Sequence, residues 1–160
     1  MNPYASFLGD RKPFTVIAET PERLRTLLEA LGDDGLERAL APGKWSARQI
    51  LCHLADCEIA FSFRYRQALA EDNHVVQPFN QDAWSRSYGA YDGREAWVVF
   101  AALRKWNLRL LENLPAAALS KRLSHPERGP MTFQTVIETM AGHDLNHLAQ
   151  LDKIAAQSGK

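Results

Sequence analysis

Residues 47–70, ARQILCHLADCEIAFSFRYRQALA, contain no glycine or proline, and their small or apolar side chains at Ile50, Leu54, Cys57, Phe61, Tyr65 and Ala68 recur in steps of three and four. That spacing puts them on one stripe of an α-helix and is incompatible with a strand, whose faces alternate every second residue. Ser46 opens the segment as S-A-R-Q, a capping box with Gln49, and Trp45 just before it is placed to act as a hydrophobic staple. Three further segments follow the same grammar. Thr20 is expected to cap a first helix with Pro21 at its first position and Gly32 at its end. Asp92 with Glu95 opens a third, running to about Leu114 with Val99, Phe100, Leu103, Trp106 and Leu110 inward. Thr132 caps a last helix over 133–156. No stretch alternates convincingly with period two, and LSHPERGPM reads as a turn. The expectation is an all-α chain, a four-helix bundle over 20–156 preceded by an extended arm, 1–19, in a single domain spanning 1–160.

Between the second and third helices lies EDNHVVQPFNQDAWSRSYGAY, with room for a short helix near 80–86. A connection this long suits a wall or lid over a site, and Trp84 within it is the candidate to touch a bound small molecule.

The last helix raises the chemical question. In MAGHDLNHLAQL, His143 and His147 lie four apart on the broad apolar face made by Phe133, Val136, Ile137, Met140, Leu148, Leu151 and Ile154. Side chains four apart stand one above the other, so two imidazoles can converge on one ion. His53 sits on the edge of the inward stripe of the second helix. Three buried imidazoles without partners would cost about 1–3 kcal/mol for each unsatisfied nitrogen, a cost that a shared metal removes. His53, His143 and His147 are therefore the candidate metal ligands. Cys57, one turn after His53, is either a fourth ligand or, preferably, a small buried hydrophobe. Asp56 and Asp144 are each either an acceptor for an imidazole N–H or an ordinary solvated carboxylate, and Asp56 is also the candidate proton acceptor. His74 and His125 are assigned to the surface, although His74 can approach the site.

Composition narrows the function. Nineteen Lys+Arg balance nineteen Asp+Glu, with no basic run, which argues against a nucleic-acid partner. No apolar run approaches the ~20 residues of a membrane span. Cys52 and Cys57 face differently on one helix and cannot easily pair; with no signal-peptide pattern, a cytoplasmic location is expected.

The blocks GKWSARQILCHLADCE, AALRKWNLRLLENL and GPMTFQTVIETMAGHDLNHLAQL resemble the DinB-like superfamily, the DinB/YfiT-like metalloenzyme group. The specific part is W-S-x-x-x-x-x-x-H-L-x-D followed, far along the chain, by H-D-x-x-H. The resemblance implies an up-down-down-up bundle with a long crossover between helices 2 and 3, and a divalent metal, nickel or zinc, held at His53, His143 and His147. Iron and manganese are the further candidates. It implies a small-molecule substrate, and among relatives thiol S-transferases using a low-molecular-weight thiol. Hydrolysis is the close variant, with water in place of the thiol. A non-catalytic metal- or small-molecule-binding stress-response module is the rival class. A homodimer is also expected, since a neutral chain with surplus aromatics can bury an apolar helix face that way.

Overall fold

The computed structural model describes residues 2–157. Six α-helices are present among them: α1 Ala5–Leu8, α2 Pro13–Leu36, α3 Ala47–Ala70, α4 Gln81–Trp84, α5 Gly93–Glu112 and α6 Phe133–Ala156. The four long ones form the bundle. Their directions follow from paired residues. His53 meets His147 while Tyr65 meets Phe133, so α3 and α6 run antiparallel. Ile17 meets Arg104 while Asp33 meets Arg94, so α2 and α5 run antiparallel. Glu58 meets Arg104 and Ser62 meets Asn107, so α3 and α5 run parallel, as the crossover between them requires.

The bounds expected for α3 and α6 are those observed, and Ser46–Gln49 closes its capping box reciprocally. Thr132 caps α6, with Thr135 as its reciprocal partner. Asp92 caps α5 by accepting from the N–H groups of Arg94 and Glu95. The first helix departs from expectation. The segment 1–19 is not an extended arm: α1 lies within it, and α2 begins at Pro13. Thr20 is no cap but a buried residue whose hydroxyl lies 2.8 Å from both Val16 O and Asp144 Oδ2. Pro21 sits inside the helix, where it has no N–H to offer Ile17 O. That carbonyl accepts instead from Arg104 Nη1 at 2.8 Å, so the proline is tolerated. Gly32, with φ of 61°, breaks the helical path where the sequence placed the end.

The expected absence of strands also fails. The crossover and the turn contribute β1 (His74–Val75), β2 (Arg122–His125) and β3 (Gly129–Thr132), a small sheet in which β2 pairs parallel to β1 and antiparallel to β3. LSHPERGPM is thus a hairpin, too short for its alternation to register.

The third difference is a rotation of α5. Ala96, Phe100, Arg104, Asn107 and Leu111 face inward, whereas Val99 and Trp106 are exposed at 44% and 64%. The reason lies on its neighbours. Glu58 of α3 and Asp144 of α6 are fully buried, and Arg104 answers both. All five guanidinium donors are used: two to Glu58 Oε1 at 2.8 and 2.6 Å, two to Asp144 at 2.7 and 3.1 Å, and one to Ile17 O. Asn107 donates to the remaining Glu58 oxygen at 2.9 Å. Burial works against the charge of Arg104, but Asp144 and Glu58 more than offset it and raise its pKa. Asp144 is accordingly neither a solvated carboxylate nor an imidazole partner; it ties α6 to α5 and α2. Two apolar clusters flank this network, one around Ile50, Leu54, Leu148 and Leu151, the other around Phe61, Tyr65, Phe133 and Ile137.

Candidate metal centre

The histidines occupy the level between the two apolar clusters. Because α3 and α6 are antiparallel, residues early on α3 face residues late on α6. His53 is thereby set against both His143 and His147, all three at most 6% exposed. His143 Nε2 lies 3.0 Å from His53 Nε2 and 3.1 Å from His147 Nε2. Burial drives all three pKa values down, that of His53 to about 3, and neighbouring imidazoles lower His53 and His143 further. The rings are therefore neutral at physiological pH. Gln150 Oε1 stands 3.1 Å from His147 Nδ1; as acceptor it places the proton there and turns the Nε2 lone pair inward.

Three neutral rings cannot satisfy this arrangement with protons alone. The single in-plane site on His143 Nε2, one proton or one lone pair, faces two neighbours at hydrogen-bonding distance. A cation accepting all three lone pairs removes the conflict, and imidazole nitrogen is a good donor to nickel, zinc, iron or copper. The donor set fits a divalent ion.

Cys57 Sγ points at the same place, 3.5 Å from His53 Nε2 and 3.8 Å from His143 Nε2. Its ligand atom, with those of His53 and His143, falls within a 4.8 Å cluster. Burial pushes the thiol pKa well up, the state of an inert core cysteine when no cation is present.

Two cavities meet at the histidines. The larger, about 560 Å³, is walled by Trp45, Ile50, His53, Asn146, His147 and Gln150. The smaller, about 220 Å³, is reached by His53, Cys57, Arg64, His125, Arg128 and His143. Tyr4 and Gln81 border both. Tyr4 reaches the site because α1 packs across α6 at Gly142, where a β-carbon would lie 2.5 Å from Tyr4 O. The Tyr4 ring then meets His143 edge-on at 5.2 Å.

Several assignments change. Asp56, three residues beyond His53, is turned about 300° around α3. It accepts from Tyr88 OH at 2.9 Å and borders a separate cavity with Cys52 and Tyr91, so it lies outside both histidine cavities. Trp84 packs on Phe79 with ring centroids 4.7 Å apart and lines neither cavity, although Gln81 and Asp82 of the same α4 turn do. Trp45, not Trp84, lines the larger cavity, and its ring lies 4.8 Å from that of His53. His125 is buried rather than superficial, because β2 carries it into the smaller cavity. His74 is half-buried on β1, its Nδ1 2.5 Å from Glu71 Oε2, and borders neither cavity. No local sequence pattern marks Tyr4, Arg64 and Arg104 as parts of the interior or the site. Only the rarity of an arginine inside an apolar stripe hints at the last two.

Comparison with known proteins agrees with this architecture. A relative from Oceanobacillus iheyensis is 27% identical over 139 residues, covering 86% of this chain and 81% of its own. YfiT of Bacillus subtilis is 23% identical over 147 residues, covering 90% and 83%. Both bear the name "putative metal-dependent hydrolase". The solved structure of YfiT, described as having an unusual four-helix bundle topology, superposes with a TM-score of 0.85 at 23% identity, covering 92% of this chain and 86% of that one. The family model of the DinB superfamily matches residues 17–151, which include all three histidines, and the chain belongs to that superfamily.

Proposed function

We propose that His53, His143 and His147 hold one divalent ion, nickel or zinc foremost and iron or manganese next, in an enzyme acting on a small molecule seated in the larger cavity. The observation carrying this reading is that His143 Nε2 lies within 3.1 Å of both His53 Nε2 and His147 Nε2, on residues that line the two cavities. Three protein ligands leave coordination positions free, as catalytic sites do. An ion there would supply the acidity that brings a coordinated water or thiol toward ionisation near neutral pH. The chain's own part is orientation. Gln150 sets the His147 tautomer, Trp45 walls His53 from solvent, and the Arg104 network fixes α3 and α6 relative to each other. Water as nucleophile makes the reaction a hydrolysis, the activity in the relatives' names. A low-molecular-weight thiol makes it an S-transfer, which the volume of the larger cavity accommodates.

Metal content of protein purified without a nickel column, in the wild type and in His53→Ala, His143→Ala and His147→Ala, tests the centre. One equivalent in the wild type and a sharp loss in each variant is expected; full occupancy in all three variants rejects it. Thiols with a model electrophile, and esters and amides with water, then separate the two reactions. Loaded protein that turns over neither is a binding module. A homodimer is proposed to bury the apolar stripe that α3 and α5 leave exposed, Ile59, Phe63, Val99 and Trp106. No helix among the described residues is long and apolar enough to cross a membrane.

A further inference from the structure

Two arginines are buried in this chain, and they are treated differently. Arg104 is enclosed by two carboxylates. Arg64 is 9% exposed, yet among the described residues it makes no ion pair and a single hydrogen bond, from Nη2 to Gln77 O at 3.1 Å. Phe61 and Phe79 flank its guanidinium, with ring centroids 5.2 and 5.5 Å from Cζ. Stacking on aromatic rings holds the plane but uses none of the N–H donors, which project from the edge. Burial lowers the pKa of Arg64, and no carboxylate raises it in return. A buried cation without an anion is costly, and an anionic ligand is the usual resolution.

The smaller cavity supplies the place. Arg64 lines it from α3, with Arg128 and His125 from the β2–β3 hairpin and with His53 and His143 also in its wall. One carboxylate borders it, Glu127, which is exposed and forms no ion pair with Arg64. The charge of Arg64 is therefore unanswered within the lining of this cavity. At about 220 Å³ it is smaller than the ~300–1,000 Å³ of whole small-molecule sites, and suits one end of a ligand.

We infer that this cavity is a carboxylate subsite: Arg64 grips the carboxylate of a small organic acid whose reacting end lies at the histidines. This deepens the metal-enzyme reading and rests on it for the word substrate, but the anion site is present without metal. The planar fork of arginine matches the two oxygens of a carboxylate and can donate to both at once. The substrate class of the enzyme is then small carboxylic acids.

The test is titration of the metal-free protein with propionate, followed by the Arg64 Nε–Hε resonance, with propionamide as the neutral isostere and inorganic phosphate as the alternative anion. Saturable propionate binding that moves the Arg64 signal is expected, with propionamide silent. Arg64→Gln should weaken it about tenfold or more. Arg64→Lys, which keeps the charge and the stem against Phe61 and Phe79, should weaken it about threefold because the fork is lost. It also serves where the glutamine variant fails to fold. Propionate binding unchanged in either folded variant, or an unmoved Arg64 resonance, overturns the inference. So does tighter binding of phosphate than of propionate. His147→Ala, outside this cavity, should bind propionate as the wild type does; the anion site and the metal centre therefore fail independently.

Discussion

Replacing Arg104 by methionine removes the cation that two fully buried carboxylates share. Methionine keeps the packing of the aliphatic stem and removes the charge and its donors, so most of the effect reports the guanidinium. Breaking a buried ion pair from one side costs about 3–5 kcal/mol, because the partner is left charged in a poor solvent. Here Glu58 and Asp144 are both stranded, and Ile17 O loses the donor that compensates for Pro21, a further ~1–3 kcal/mol if unmet. Partial protonation of the carboxylates limits the sum to about 4–6 kcal/mol, a large share of the ~5–15 kcal/mol of a typical domain. With a urea slope of roughly 2 kcal/mol/M, the midpoint should fall by about 2–3 M. The pH dependence has a definite sign. Burial already raises the Glu58 pKa, with Arg104 pulling it back, so its loss raises it further. A carboxyl with a folded pKa above its unfolded value binds more protons in the folded state, so stability falls as pH rises through that interval. The deficit should therefore be greatest near pH 8 and shrink toward about pH 5. Adding Glu58→Gln and Asp144→Asn to Arg104→Met should recover part of the loss, since neutral amides need no counter-ion. Urea melts monitored by circular dichroism at both pH values decide it. A midpoint within about 0.5 M of wild type, or a deficit independent of pH, refutes the reasoning.

Gly142→Ala places a β-carbon 2.5 Å from Tyr4 O and 2.7 Å from Tyr4 Cβ, and should cost about 1–3 kcal/mol while lifting α1 from α6. Limited proteolysis should then cut ahead of Pro13 faster than in wild type; equal cleavage and an unchanged melting temperature would contradict the docking. Cys57→Ala should retain one equivalent of metal, because three imidazoles suffice to hold it. Metal content as low as in His53→Ala would make the sulfur a primary ligand. Trp106→Glu should convert a dimer to an 18.0 kDa species in sedimentation equilibrium. A wild type already monomeric at micromolar concentration removes the proposed interface.

Local periodicity determined much of this protein. On α3 and α6 every member of the apolar stripes is buried as spaced, the caps lie where Ser46 and Thr132 stand, and the three histidines share the inward faces. A helix whose own pattern is apolar on one side has one way to turn toward a core, so its buried residues can be named before its neighbours are known. Tertiary structure decided what depends on distant partners. α5 carries an apolar stripe through Val99 and Trp106, yet buries Arg104 and Asn107, because Glu58 and Asp144 demand donors more strongly than the core demands two further apolar side chains. Pro21 reads locally as a helix start. It is tolerated inside α2 only because Arg104, 87 residues from Ile17 in the chain, supplies the missing donor. Four-residue strands are too short to show a period, and pairing alone defines β2 and β3, which carry His125 inward. Asp56 is near His53 in sequence and Trp84 lies in a long loop, whereas access to the histidines is set by rotation about α3 and by the docking of Tyr4 and Trp45. For α3 and α6, periodicity alone marks the buried faces and the imidazoles on them, since side-chain direction on a helix repeats with its turn. Which polar groups those faces enclose, and which cavity each enters, only the packed bundle decided, because a buried charge is placed by partners remote along the chain.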